Sequence, residues 1–273
     1  MKAILVLALL VLAGCGGLRI DTSHPSIGHS SRVQYIVLHY TSTDLPRSLE
    51  LLTRGEVSAH YLIGAEPPTV YRLVDEQRRA WHAGDSEWQG RTWLNASSLG
   101  IELVHPGYEE DAEGNRHWHP YPRAQIDVLI RLLKELVECH ELPPGSIVGH
   151  SDIAPQRKVD PGPLFPWYRL AAEGLIAWPD DAQVGIRQRL FAAVGLPPPA
   201  WFQERLATLG YRVPRHGELD EATLKVLAAF QMKYRPSRHD GVPDAETAAL
   251  LQVLAQSAQA LSGLEAPAAH EGM

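Results

Sequence analysis

The periodicity of the chain changes once, near Trp178-Pro179-Asp180-Asp181, and that change limits the fold more than any other feature. Before it, β-branched runs alternate with helical segments. Arg32–His39 and Leu99–His105 read as strands, Val57–Ile63 and Thr69–Leu73 flank Glu66-Pro67-Pro68 as a strand pair, and Ser146–Gly149 reads as a short strand. Helices are expected from Pro46 to Gly55 and from Pro122 to His140, where Ile126, Leu129, Ile130, Leu133 and Val137 recur at helical spacing. This order predicts an α/β domain over 32–177, a mixed central β-sheet flanked by helices. From Val184 only helical periodicities remain, at 184–194, 199–209, 220–234 and 243–258, which predicts a small all-α bundle over 181–258. Residues 259–273 are rich in Ala, Gly and Pro and read as a flexible tail. On this reading the bundle is a separate unit, and deleting it from about Asp181 should leave the first domain intact.

The amino terminus addresses a compartment. Lys2 precedes an apolar run from Ala3 to Ala13, a secretory signal too short to span a bilayer as a helix of about 20 residues. The run ends Leu12-Ala13-Gly14-Cys15-Gly16-Gly17, which resembles the bacterial lipobox. Residues 1–14 are therefore expected to be removed and Cys15 to carry two or three acyl chains, enough for stable anchoring. Gly16 rather than Asp after the cysteine points to the outer membrane, facing the periplasm. Residues 15–31 form the expected tether. No other stretch approaches 18 apolar residues, so the lipid is the expected membrane contact. Cys139, on the helical stripe region, is expected to be a small packing residue.

A net charge of −7 supplies no basic face for phosphates, so no nucleic-acid partner is expected. Three candidate ligands stand at strand ends or in a tight loop: His39, His150, and Asp160, the last held between Pro155 and Pro161. Two histidines and a carboxylate are a usual ligand set for catalytic zinc, with the fourth position left to water. Spacing alone also allows ordinary core or surface histidines. Glu102 interrupts an apolar strand, Leu99-Gly-Ile-Glu-Leu-Val104, and is costly there unless it faces a site or the strand is an edge.

The motifs occur in a telling order: Ile36-Val-Leu-His39-Tyr-Thr, Val57-Ser-Ala-His60-Tyr-Leu-Ile, Ala80-Trp-His82-Ala-Gly, Leu99-Gly-Ile-Glu102-Leu, and Gly149-His150-Ser-Asp-Ile-Ala-Pro-Gln-Arg-Lys158-Val-Asp160-Pro-Gly-Pro. Over about 32–175 they resemble the type 2 N-acetylmuramoyl-L-alanine amidase family, zinc hydrolases of bacterial peptidoglycan. The resemblance implies one zinc ion on His39, His150 and Asp160, Glu102 as the base for the attacking water, and Lys158 as the cation that stabilises the oxyanion. His60 and His82 fall at pocket or sheet positions. Trp81, Trp88 and Trp93 either line a sugar cleft or pack internally. His117-Trp118-His119 lies in a polar insertion read as a loop.

Stem peptides carry carboxylates that a negative chain does not steer, so a local donor such as Arg91 is the candidate for substrate binding. Segments Gly217–Gln231 and Asp240–Thr247 resemble a three-helix peptidoglycan-binding domain, with Glu221 replacing the glycine of its usual Asp-Gly turn. The implied function is hydrolysis of the amide between N-acetylmuramoyl, or 1,6-anhydro-N-acetylmuramoyl, and L-alanine during wall turnover. Peptidoglycan and muropeptides are the implied partners, and a monomer is expected. The rival is a non-catalytic peptidoglycan-recognition lipoprotein. Some relatives recognise the wall without hydrolysis after losing the third ligand, and Asp160 and Glu102 are both present here.

Overall fold

Strands β1 (Tyr35–Tyr40), β2 (Tyr61–Ile63), β3 (Val70–Arg72), β6 (Ser98–Leu103) and β9 (Ile147–Gly149) build one sheet in the order β3-β2-β6-β1-β9, in a computed structural model that describes residues 18 and 20–265. Neighbours β2–β6, β6–β1 and β1–β9 run parallel and β3 is antiparallel, so the sheet is mixed as expected. Two small hairpins decorate it, β4 (Glu87–Trp88) with β5 (Arg91–Thr92), and β7 (Tyr108–Glu110) with β8 (Arg116–Trp118). The helices are α1 (Leu45–Arg54), α2 (Arg123–His140), α3 (His150–Ile153), α4 (Trp167–Ala172), α5 (Asp181–Val194), α6 (Pro199–Thr208), α7 (Glu221–Tyr234) and α8 (Ala245–Glu265).

Side-chain alternation along the strands sorts the core into two. Ile36 and Leu38 of β1 and Leu99, Ile101 and Leu103 of β6 face one way, onto Ile126, Leu129, Ile130 and Leu133 of α2. Tyr35 and Val37 face the other way with Val148 of β9, and are buried in one continuous cluster with Val226, Phe230 and Leu251 of the bundle. Helix starts follow local chemistry: Asp44, Asp180 and Asp220 each accept a backbone N–H of the first turn, from Arg47, Gln183 and Thr223.

Several sequence expectations change. The strand at 57–63 begins at Tyr61, and the last helix runs on to Glu265 rather than ending at 258. The 106–121 insertion is not all loop, because Glu109 pairs with His117 across the β7–β8 hairpin. Cys139 is exposed, not packed: at 100° per residue it sits about 100° from the centre of the buried stripe of α2. The change of periodicity at 178–181 does not divide the described residues in space, since those from Ser31 onward form one compact unit. Residues 20–30 form no helix or strand. The expected signal sequence, the expected lipidation site Cys15 and the expected tail residues 266–273 lie outside the described residues. Among those described, no helix is long and apolar enough to cross a membrane.

Candidate active site

The C-terminal ends of β1, β6 and β9 deliver three side chains to one place. His39 lies near the end of β1, and its register partner on the parallel neighbour β6 is Glu102. His150 follows β9 directly, as the first residue of α3. Asp160 returns on a loop whose backbone is pinned at both sides, because the Asp160 carbonyl accepts the Ser151 N–H (2.8 Å) and the Pro161 carbonyl accepts the Tyr121 hydroxyl (2.8 Å).

The three ligand atoms form a nearly equilateral triangle. His39 Nδ1 and His150 Nδ1 are 2.9 Å apart and lie 3.1 and 3.0 Å from Asp160 Oδ2. Two donors about 2.0–2.1 Å from a tetrahedral zinc are about 3.3 Å apart, so the triangle fits a single ion with one open position.

One consistent assignment of the surrounding hydrogen bonds leaves both Nδ1 atoms unprotonated. The Ser98 hydroxyl donates to the Leu94 carbonyl (2.7 Å) and so accepts from His82 Nε2–H (3.3 Å). His82 Nδ1 is then free to accept the His39 Nε2–H (3.1 Å), which leaves the His39 Nδ1 lone pair facing the triangle. On the other side, His150 Nε2–H donates to the Ala83 carbonyl (3.2 Å), with the same result. His82 is a pocket residue, as expected, and its ring also lies against His39, with His82 Nδ1 3.1 Å from His39 Nε2. Its ring is accommodated only because residue 100 is glycine: a Cβ there would lie 2.4–2.7 Å from the imidazole. A glycine inside a strand, next to the glutamate motif, is the sequence signal for that close approach.

Electrostatics agree with a site built for a cation. Burial, then the His150 charge, lowers the His39 pKa to about 4, against the pull of Asp160. Burial alone would raise the Asp160 carboxyl, but the two imidazoles hold it well below the usual carboxylate range. Burial, then the Asp160 charge, lifts Glu102 to about 8, and Lys158 opposes the rise. Glu102 Oε2 is buried without a hydrogen-bond partner among the described residues, so it has capacity for a proton.

Glu102, Lys158, His39, His150 and Asp160 all line one cleft of about 600 Å³, together with Tyr40, Trp81, His82, Tyr108 and Arg157. Arg91 is not among them; it is exposed on β5, beside the Tyr35 hydroxyl. The three tryptophans divide. Trp81 is half exposed in the cleft under the Arg79 guanidinium (4.2 Å), Trp88 is buried against Tyr211 (4.8 Å, edge to face), and Trp93 is exposed outside the cleft. His117 and His119 pair with Asp111 and Glu109 on the hairpin and form no third-ligand cluster there.

His39, His150 and Asp160 could hold a metal ion between them, in a cleft that Glu102 also lines, and this is the side-chain chemistry of a hydrolytic centre. The chain belongs to the N-acetylmuramoyl-L-alanine amidase family, whose profile matches residues 29–163. A peptidoglycan binding domain profile matches residues 197–251. The chain is 41% identical to the N-acetylmuramoyl-L-alanine amidase AmiD of Escherichia coli, over 92% of this chain and 95% of that one. It is 42% identical to the 1,6-anhydro-N-acetylmuramyl-L-alanine amidase AmpD of the same organism, over 41% of this chain and 56% of AmpD. The structure of E. coli AmiD with anhydro-N-acetylmuramic acid-L-Ala-D-γ-Glu-L-Lys as substrate superposes with a TM-score of 0.78 at 40% identity, covering 87% and 94% of the two chains. AmpDh3 of Pseudomonas aeruginosa, solved alone and with an anhydromuramic pentapeptide, superposes at 0.81 with 39% identity over 88% and 99%.

Proposed function

We propose that His39, His150 and Asp160 hold one zinc ion and that the chain cleaves the amide between the lactyl group of N-acetylmuramoyl, or its 1,6-anhydro form, and the L-alanine of the stem peptide. The observation that carries this reading is the convergence of three ligand atoms at 2.9–3.1 Å beside an unpartnered Glu102 in one open cleft. Zinc bound there supplies a Lewis acid and brings the pKa of a bound water near 7.

The chain's own groups do the rest. Glu102, across from His39 on the adjacent strand, accepts the proton of the attacking water and hands it to the leaving alanine nitrogen. The Lys158 ammonium faces the oxygen on which negative charge develops. Trp81, Tyr40 and Tyr108 offer ring faces to the sugar and stem, and the 197–251 module supplies a second hold on intact wall. The lipobox places the enzyme on the outer membrane through an acylated Cys15, facing the periplasm.

Chelation is expected to abolish hydrolysis and added zinc to restore it. Mass spectrometry of products from purified sacculi should then show free stem peptides beginning with L-alanine and glycan stripped of peptide. Undiminished cleavage by metal-free protein, or cleavage within the glycan, defeats the proposal. Cys15→Ser should leave the outer-membrane fraction; retention there defeats the anchoring part alone.

A further inference from the structure

The residue two places after His150 is Asp152, and it is almost fully buried at the first turn of α3. Every group that fixes its carboxylate is identifiable. Oδ2 accepts the Gly149 N–H (2.8 Å) and the Lys233 ammonium (2.8 Å), and Oδ1 accepts the Tyr211 hydroxyl (2.7 Å). Tyr211 and Lys233 both belong to the segment 197–251 that matches the peptidoglycan binding domain. Lys233 is itself buried, with its ammonium 4.3 Å above the Trp167 ring, and Tyr211 stacks edge to face on Trp88.

A helix of four residues cannot hold its own direction, because it closes almost no internal hydrogen bonds. The direction of α3, and with it the imidazole of His150, is therefore set by external contacts, among them the Ser151 N–H to Asp160 carbonyl bond, the packing of Ile153 and the three bonds that Asp152 accepts. We propose that two residues of the C-terminal module support the catalytic centre: Tyr211 and Lys233 are positioning residues that hold His150 toward His39 and Asp160 through Asp152. This rests on the metal-site reading above and goes beyond it, since a wall-binding module needs no buried charge aimed at a ligand-bearing turn.

The test uses the full-length chain. Tyr211→Phe and Lys233→Met are compared with Leu251→Ala, a buried α8 residue outside this network, and with His150→Ala. Zinc dissociation constants come from chelator competition, kcat and KM from a soluble muropeptide, and Tm from thermal unfolding. Lys233→Met should weaken zinc binding about 10-fold and lower kcat at unchanged KM, the scale of losing an outer-shell support. Tyr211→Phe, which keeps the ring and the ion pair, should move both quantities the same way by less, and it carries the test alone if Lys233→Met does not fold. Leu251→Ala should lower Tm while keeping wild-type zinc affinity and kcat. Wild-type zinc affinity in the network variants, or an equal weakening in Leu251→Ala, overturns the proposal. Full zinc affinity in His150→Ala would instead overturn the metal site itself.

Discussion

The two faces of the central sheet are made by the same strands and obey different rules. On the α2 face, Ile36, Leu38, Leu99, Ile101 and Leu103 meet Ile126, Leu129 and Leu133 through apolar contact, and the buried polar Gln125 of α2 donates to the Ile63 and Val104 carbonyls at the edge of that layer. On the opposite face, Tyr35 and Val37 are covered by the bundle, while His39, Ser98, Gly100 and Glu102 continue the same rows toward the cleft. Burial of an apolar face is non-directional, so a neighbouring amphipathic helix suffices. Imidazoles and carboxylates need specific partners at hydrogen-bond distance, and here those come from the 80–85 loop, the 150–160 loop and the C-terminal module. One face should govern stability and the other reactivity.

That division can be broken by substitution. Glu102→Gln should keep stoichiometric zinc and lose about 100- to 10,000-fold in turnover, the scale of removing a general base; zinc analysis of the purified variant would expose Glu102 as a ligand if the metal were lost. Leu129→Ala, fully buried on the α2 face, should cost about 2–5 kcal/mol in urea unfolding and leave kcat per folded molecule unchanged. A matching fall in kcat would mean that the faces are mechanically coupled.

The next effect is read against pH. His60 is buried, its Nδ1 accepts the Gly100 N–H (2.9 Å), and burial lowers its pKa to about 4. The unfolded histidine binds its proton near pH 6.5, so between about 6.5 and 4 the unfolded chain holds more protons than the folded one. Stability from this group is complete above pH 6.5 and lost as pH falls toward 4, by about 3 kcal/mol in all. His60→Gln should flatten that part of the urea-midpoint profile relative to wild type. An unchanged acid limb would count against a neutral buried His60. The smallest effect is expected for Gly100→Ala, where the new methyl presses on His82. Zinc affinity should fall about 10-fold with little change in far-UV circular dichroism, and wild-type affinity would show that His82 does not hold His39.

Much of this was legible before any coordinates. The helical stripe of α2, the strand that carries His39 and the all-helical elements between Asp181 and Glu265 follow from local periodicity, because each face is decided by residues within one turn or one pleat. The motif order brought His39, Glu102, His150, Lys158 and Asp160 into one cleft. Arg91 did not follow, because a charge chosen without a motif has no address in the fold. Cys139 was misjudged because a residue at the flank of a stripe is buried only if a neighbour reaches it.

What the sequence determined by itself is therefore the five strands of the main sheet, the helices α1 and α2, the helices of the bundle and the residue types that meet in the cleft. Only the tertiary structure decided the hydrogen-bond partners of His39, His150 and Asp160, the place of His82 behind His39, and the continuity of the described residues where the periodicity changes. The reason is range. Hydrophobic pattern and capping act over a few residues, whereas the partners of His39, His150 and Asp152 lie 43, 67 and 81 positions away along the chain, at His82, Ala83 and Lys233. No local pattern encodes a hydrogen bond at that separation.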